Sequence, residues 1–121
     1  MKFNPNAPIY LQVIDALKLD IINGRLSPGE KLPSGRDLAV RYTINPNTAA
    51  RVYQELERQG ICFTKRGMGT FVTNDADRIA ECRNQMAKEV LDTFLVSMKE
   101  LNISKDKAIE MINESDDIWM I

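Results

Sequence analysis

Ser34-Gly35-Arg36-Asp37-Leu38-Ala39-Val40-Arg41-Tyr42-Thr43-Ile44-Asn45-Pro46-Asn47-Thr48-Ala49 is the stretch on which the reading of this chain turns. It holds two helix starts separated by a short turn. Ser34 is a good N-cap, and Asp37, three residues on, makes an approximate capping box. The helix behind it carries Leu38 and Ala39 and runs to about Tyr42. At about two turns it is unstable alone and must be held by packing. Thr43-Ile44 is the turn. Asn45 is a strong N-cap, and Pro46 suits a first helical position, where a missing N–H costs nothing. The helix so started runs to Gln59 and stops at Gly60. Ala49, Val52 and Leu56 mark its apolar side, with Tyr53 beside them. Asn47, Thr48, Arg51, Glu55 and Arg58 mark the opposite side, a clear amphipathic split.

Before this pair, residues 9–23 read as a helix. Tyr10, Ile14, Leu17 and Ile21 recur at helical spacing, with Val13 and Ala16 beside them. Pro8 is a start signal and Gly24 a left-handed stop. Arg25 to Pro33 reads as a loop turned by Ser27-Pro28-Gly29. After the pair, Ile61-Cys62-Phe63-Thr64-Lys65 and Thr70-Phe71-Val72-Thr73 flank Arg66-Gly67-Met68-Gly69, the pattern of a β-hairpin. From there the periodicity becomes helical. Asp75 or Asp77 caps a long helix with apolar positions at Ile79, Cys82, Met86, Ala87, Val90, Leu91, Phe94, Leu95, Met98 and Leu101. Asn102 is its expected left-handed end, and Ser104 caps a second helix bearing Ala108, Ile109, Met111 and Ile112. The last residues, Asp116-Asp117-Ile118-Trp119-Met120-Ile121, are apolar for a free end.

Three short helices and a hairpin followed by two helices predict an α+β chain: an N-terminal winged helix-turn-helix over residues 1–73 and a two-helix dimerisation segment over residues 74–121. Charge divides the same way. Residues 1–72 hold 10 Lys+Arg against 6 Asp+Glu, a balance of +4, and residues 73–121 hold 6 against 11, a balance of −5. Such asymmetry suggests a half that faces nucleic acid and a half with another task. The chain has no histidine, which removes the commonest general base and metal ligand. Cys62 and Cys82 are too few for a disulfide framework and lack metal-ligand spacing. No catalytic, metal or cofactor site is read. Met1-Lys2-Phe3-Asn4-Pro5 carries no apolar signal core and no run is long enough to span a bilayer, so a cytoplasmic protein is expected.

The reading in terms of DNA is chemical. A helix N-terminus that enters the major groove meets a distinct donor and acceptor pattern at each base pair. Asn45, Asn47 and Thr48 put amide and hydroxyl groups in such a first turn, and Arg51 follows one turn later, able to reach a guanine edge or a phosphate. Lys65 and Arg66 stand beside Gly67 at the hairpin tip, suited to phosphates or a minor groove. Arg36 is placed to hold the sugar-phosphate backbone. Each feature alone has a plainer account as a helix start, a turn or a solvated charge. Their order within about forty residues is what favours the functional one.

Pro8-Ile9-Tyr10-Leu11-Gln12, Gly29-Glu30-Lys31-Leu32-Pro33-Ser34, Arg36-Asp37-Leu38-Ala39, Asn45-Pro46-Asn47-Thr48, Tyr53-Gln54-Glu55-Leu56-Glu57 and Arg66-Gly67-Met68-Gly69-Thr70-Phe71-Val72 together resemble the GntR family of bacterial regulators. The Asn-Pro-Asn-Thr start and short helical tail resemble its YtrA-like branch. The resemblance implies DNA contacts at Arg36, Asn45, Asn47, Thr48, Arg51, Lys65, Arg66, Gly67 and Gly69. Pro46 and Ala50 stand where many members carry arginine, so no operator sequence is borrowed from them. Gly35 stands where many carry glutamate.

Larger relatives add a ligand-binding domain, whereas the 49 residues after Val72 are expected to be too few to enclose a pocket of roughly 300 Å³. The apolar stripe is expected to bury itself against a second copy through Met86, Val90, Leu91, Phe94, Leu95 and Met98. The expected function is that of a homodimeric transcription regulator, a repressor on a double-stranded, inverted-repeat operator. The competing readings are a winged helix that binds protein and an enzyme, for which only solvated carboxylates such as Glu55 and Glu57 speak.

Overall fold

Side-chain caps start every helix but the first where the sequence places them, and the first begins after Pro8 without one. In the computed structural model, which describes residues 4–116, α1 spans Ile9–Ile22, α2 Gly35–Tyr42 and α3 Pro46–Arg58. Strands β1 (Cys62–Lys65) and β2 (Gly69–Val72) follow, then α4 (Ala76–Glu100) and α5 (Lys105–Glu114). The Ser34 hydroxyl accepts from the Asp37 amide at 3.1 Å, the Asn45 side chain from the Asn47 amide at 2.7 Å, and the Ser104 hydroxyl from the Lys107 amide at 3.1 Å. Of the two aspartates that could begin α4, Asp75 does so, accepting from the amides of Asp77 and Arg78. Asn102 takes the left-handed conformation (φ 59°) that ends α4. Ile118, Trp119, Met120 and Ile121, the apolar tail, lie outside the described residues.

The chain divides into two compact units, Met1–Arg83 and Asn84–Ile121, so the division falls within α4. The first unit is a winged helix-turn-helix. Its core gathers Val13, Ile14, Leu17 and Ile21 from α1, Leu38 and Ala39 from α2, and Ala49, Val52, Tyr53 and Leu56 from α3. Ile61, Cys62 and Val72 seal the root of the hairpin. Burying a residue such as Leu38 or Leu56 contributes about 1.5–3 kcal/mol, which is how an eight-residue helix like α2 is held. The start of α4 belongs to this unit as well. Cys82 is buried, Arg78 donates to the Gln59 carbonyl at 2.6 Å, and Arg83 donates to the Ile22 carbonyl at 2.8 Å.

β1 and β2 pair antiparallel with Cys62 opposite Val72, Phe63 opposite Phe71, Thr64 opposite Thr70 and Lys65 opposite Gly69. Gly67 (φ 78°) and Gly69 (φ 121°) supply the positive φ that this turn requires. The loop before α2 does more than the sequence indicates. Lys31 forms a β-bridge to Phe71. Gly29 donates to the Val72 carbonyl, Val72 to the Glu30 carbonyl, and Leu32 to the Thr70 carbonyl. The far edge of β2 is thereby paired instead of open. Pro28 and Pro33 frame this segment and hid its strand character.

In the second unit, α4 from Asn84 onward and α5 carry an apolar surface that is largely uncovered. Val90 is 71% exposed, Leu91 50% and Leu101 70%, whereas Ala108 is buried. Ala87, Val90, Leu91, Phe94, Met98, Met111, Ile112 and Ser115 line an open apolar groove of about 600 Å³. The two helices leave this groove open between them and do not enclose it. Among the described residues no helix is long and apolar enough to cross a membrane.

Candidate nucleic-acid interface

α3 presents its N-terminal turn outward because its other side is spent on the core. Ala49, Val52 and Leu56 are fully buried, which leaves Asn45, Asn47 and Arg51 exposed and Thr48 half-buried. Asn45 is not wholly available. Its side-chain oxygen is committed to capping the helix, so only its NH₂ group can reach outward. The side-chain amide of Asn47 has no hydrogen-bond partner among the described residues, so both its donor and its acceptor are unspent. The exposed Pro46 and Ala50 contribute no polar group at the positions where many relatives carry arginine.

Two arginines of α3 are treated differently. Arg58 donates to both carboxylate oxygens of Glu55 from Nε and Nη2. Glu55 also accepts from Gln59, and its pKa is pulled down to about 2 by the hydrogen bonds from Arg58 and Gln59. Arg51 has no ion-pair partner among the described residues. Its Cζ lies 3.8 Å from the centroid of the Tyr10 ring, in cation–π contact. Tyr10, which the sequence pattern places on the core side of α1, is only half-buried and lends its ring to Arg51.

Arg36 is exposed in the first turn of α2, which packs on α3. Arg66 and Gly67 are exposed at the hairpin turn. Lys65 ends β1 with its Nζ 5.8 Å and 5.4 Å from the ring centroids of Phe63 and Phe71. Those rings stack across the strands at 5.7 Å, so a cation and two aromatic rings share one side of the wing. Gly69 is closely approached by the Lys31 side chain, whose Cε lies 2.9 Å from where a Cβ would stand. Lys31 is exposed and bridged to β2, a cation beside the wing that the sequence reading did not single out. Its signal was a two-residue alternation with buried Leu32, too short to read. Apart from the Asn45–Asn47 cap, no side-chain hydrogen bond joins the nine candidate residues to one another. All nine lie within the first unit.

Residues 9–72, the first three helices and the wing, match the family model for the bacterial regulatory proteins of the gntR family. The chain belongs to the GntR family. This GntR chain is 41% identical over 111 residues to the uncharacterized HTH-type transcriptional regulator YhcF of Bacillus subtilis, covering 92% of each chain. It is 38% identical to the HTH-type transcriptional repressor YtrA of the same organism, over 90% of this chain and 85% of that one. Among solved structures, a GntR family transcriptional regulator from Listeria monocytogenes superposes with a TM-score of 0.85 at 37% identity, covering 93% of this chain and 98% of that one. The likeness to YtrA extends through the two-helix segment and places this GntR protein in the YtrA-like branch. It is a DNA-binding transcription regulator, as the names of these relatives indicate for them.

Proposed function

We propose that this GntR protein is a dimeric repressor of an inverted-repeat operator, in which residues 1–73 read DNA and residues 74–121 make the dimer. Asn47 and Thr48 read base edges from the first turn of α3, joined by the Asn45 NH₂ group and by Arg51. Arg36, Lys65 and Arg66 hold phosphates, Lys31 adds a further cation beside the wing, and Gly67 and Gly69 let the hairpin backbone approach the duplex. The observation that carries the reading is the exposed side-chain amide of Asn47, without a partner among the described residues, at the start of a well-packed helix. A donor and acceptor so placed suits the edge of a base. YtrA's designation as a repressor favours repression.

The second unit supplies the reason for a dimer. A partly uncovered apolar face through Met86, Val90, Leu91, Phe94, Leu95 and Met98 is stabilised by burial against its own copy, and a two-fold pair of readers meets half-sites related by the same axis. The half-sites then lie about one helical turn, or a multiple of it, apart. Selection of duplexes from a random pool by the purified protein is expected to return an imperfect inverted repeat. Two chains bind per duplex, with a Kd on the order of 10⁻⁸ M at physiological salt. A selected site with one asymmetric element and one bound chain overturns the proposal.

A further inference from the structure

The cleft between α1 and α3 joins Tyr10 and Leu11 to Arg51, Gln54, Glu55 and Arg58, with a volume of about 380 Å³. Its two arginines stand seven positions apart on α3 and so share a side of the helix. They are held by opposite means. Arg58 is neutralised by a two-point pair with Glu55. Arg51 rests on the Tyr10 ring and has no carboxylate partner among the described residues. The difference matters chemically. A carboxylate consumes guanidinium N–H donors and cancels the charge, whereas a ring face fixes the group and leaves its in-plane donors and its charge unspent.

We propose that Tyr10 is a positioning residue for DNA recognition, presetting the Arg51 guanidinium for its contact with the operator. Arg51 lies four positions after Asn47, the next residue on the same side of α3. A free arginine side chain loses rotamer freedom when it binds, and a guanidinium already seated on a ring loses less. Tyr10 thus raises operator affinity without touching DNA, through the one cation of this cleft whose charge is not cancelled. The inference rests on the proposal that Arg51 contacts the operator.

The test is a double-mutant cycle in the full chain, using the duplex that the unaltered protein selects from a random pool and a scrambled duplex of equal length. Thermal melts establish that each variant is folded. Arg51→Ala is expected to weaken binding to the selected duplex. Tyr10→Leu is expected to weaken it about two- to fivefold, the worth of an exposed cation–π contact. The salt slope should not change, because no charge is removed. Tyr10→Phe, which keeps the ring, should restore most of the affinity. In the Arg51→Ala background, Tyr10→Leu should have no further effect. If Tyr10→Leu weakens binding equally with and without Arg51, it acts through general packing and the inference is overturned. Tighter binding by Tyr10→Leu overturns it too, because the ring would then be storing Arg51 away from DNA. If Arg51→Ala binds as well as the unaltered protein, the Arg51 contact itself falls, and the role of Tyr10 with it. If only Tyr10→Leu is silent, the Arg51 contact stands and the positioning role alone is lost.

Discussion

Asn47 and Arg36 are both exposed in the first unit, but their side chains suit different partners. A short amide at a helix start can discriminate a base edge, whereas a long cation on α2 holds a phosphate whatever the sequence. Asn47→Ala is therefore expected to cost about 1–3 kcal/mol on the selected duplex and much less on a scrambled one. Arg36→Ala should weaken both alike and flatten the salt slope by about one unit per lost contact. Titrations of both duplexes at several salt concentrations check this, and an equal loss on both for Asn47→Ala would move base reading elsewhere. Cys62 makes a second, independent case at this scale. Burial, aided by the Glu57 carboxylate, pushes its thiol from 9.0 up to about 12. The folded state then holds the proton more tightly than the unfolded chain. The stability this brings is fully present below about pH 9 and is lost as pH rises from there to about 12. Denaturation of the unaltered protein and Cys62→Ala across that range should show a shallower decline in the variant. A parallel decline would remove Cys62 as a contributor. The exposure of Asn45, Asn47 and Arg51 was legible in the sequence, because side chains that follow an N-cap fall on faces set by helical periodicity. The Tyr10 ring under Arg51 was not, because that pairing spans two helices that meet only on folding.

Elements were the most legible level. The caps at Ser34, Asn45 and Ser104 and the left-handed end at Asn102 are local chemistry, decided within three or four residues, and the helices begin and end accordingly. Two features escaped. The pairing of residues 29–32 with β2 depends on an edge that exists only once the hairpin has formed. The turn between α2 and α3 places Thr43 at φ 54° and ψ 50°. A left-handed conformation in a β-branched residue is costly, by about 1–2 kcal/mol. It is held there by the packing of α2 on α3 and by hydrogen bonds from Thr43 to the Val40 carbonyl and from Ile44 to the Ala39 carbonyl. Thr43→Asn is expected to raise the unfolding free energy by up to about 1 kcal/mol, since asparagine tolerates this conformation. Urea denaturation measures it directly, and no gain, or a loss, would show that the turn is not strained.

For the molecule as a whole, the charge division between residues 1–72 and 73–121 parallels the proposed division of labour between a reader and an apolar two-helix unit. Val90 is 71% exposed, so a charge there costs the single chain little. In the proposed dimer the same charge is desolvated without a partner, at a cost of several kcal/mol. Val90→Asp is therefore expected to shift the protein to a monomer in sedimentation while its melting temperature as a folded chain changes little. DNA affinity should fall as the linkage between two readers is lost. A Val90→Asp protein that still sediments as a dimer would move the interface off this face. By itself the sequence determined the order of helices and strands, the family, and which side chains of α3 face outward. All of these follow from caps, turn residues and periodicities that act over a few positions. Only the tertiary structure decided that the start of α4 packs with the first unit, that residues 29–32 extend the wing, and that Arg51 is propped on the Tyr10 ring. Those outcomes depend on which groups meet across elements distant in the chain, as the Tyr10 ring of α1 meets the Arg51 guanidinium of α3.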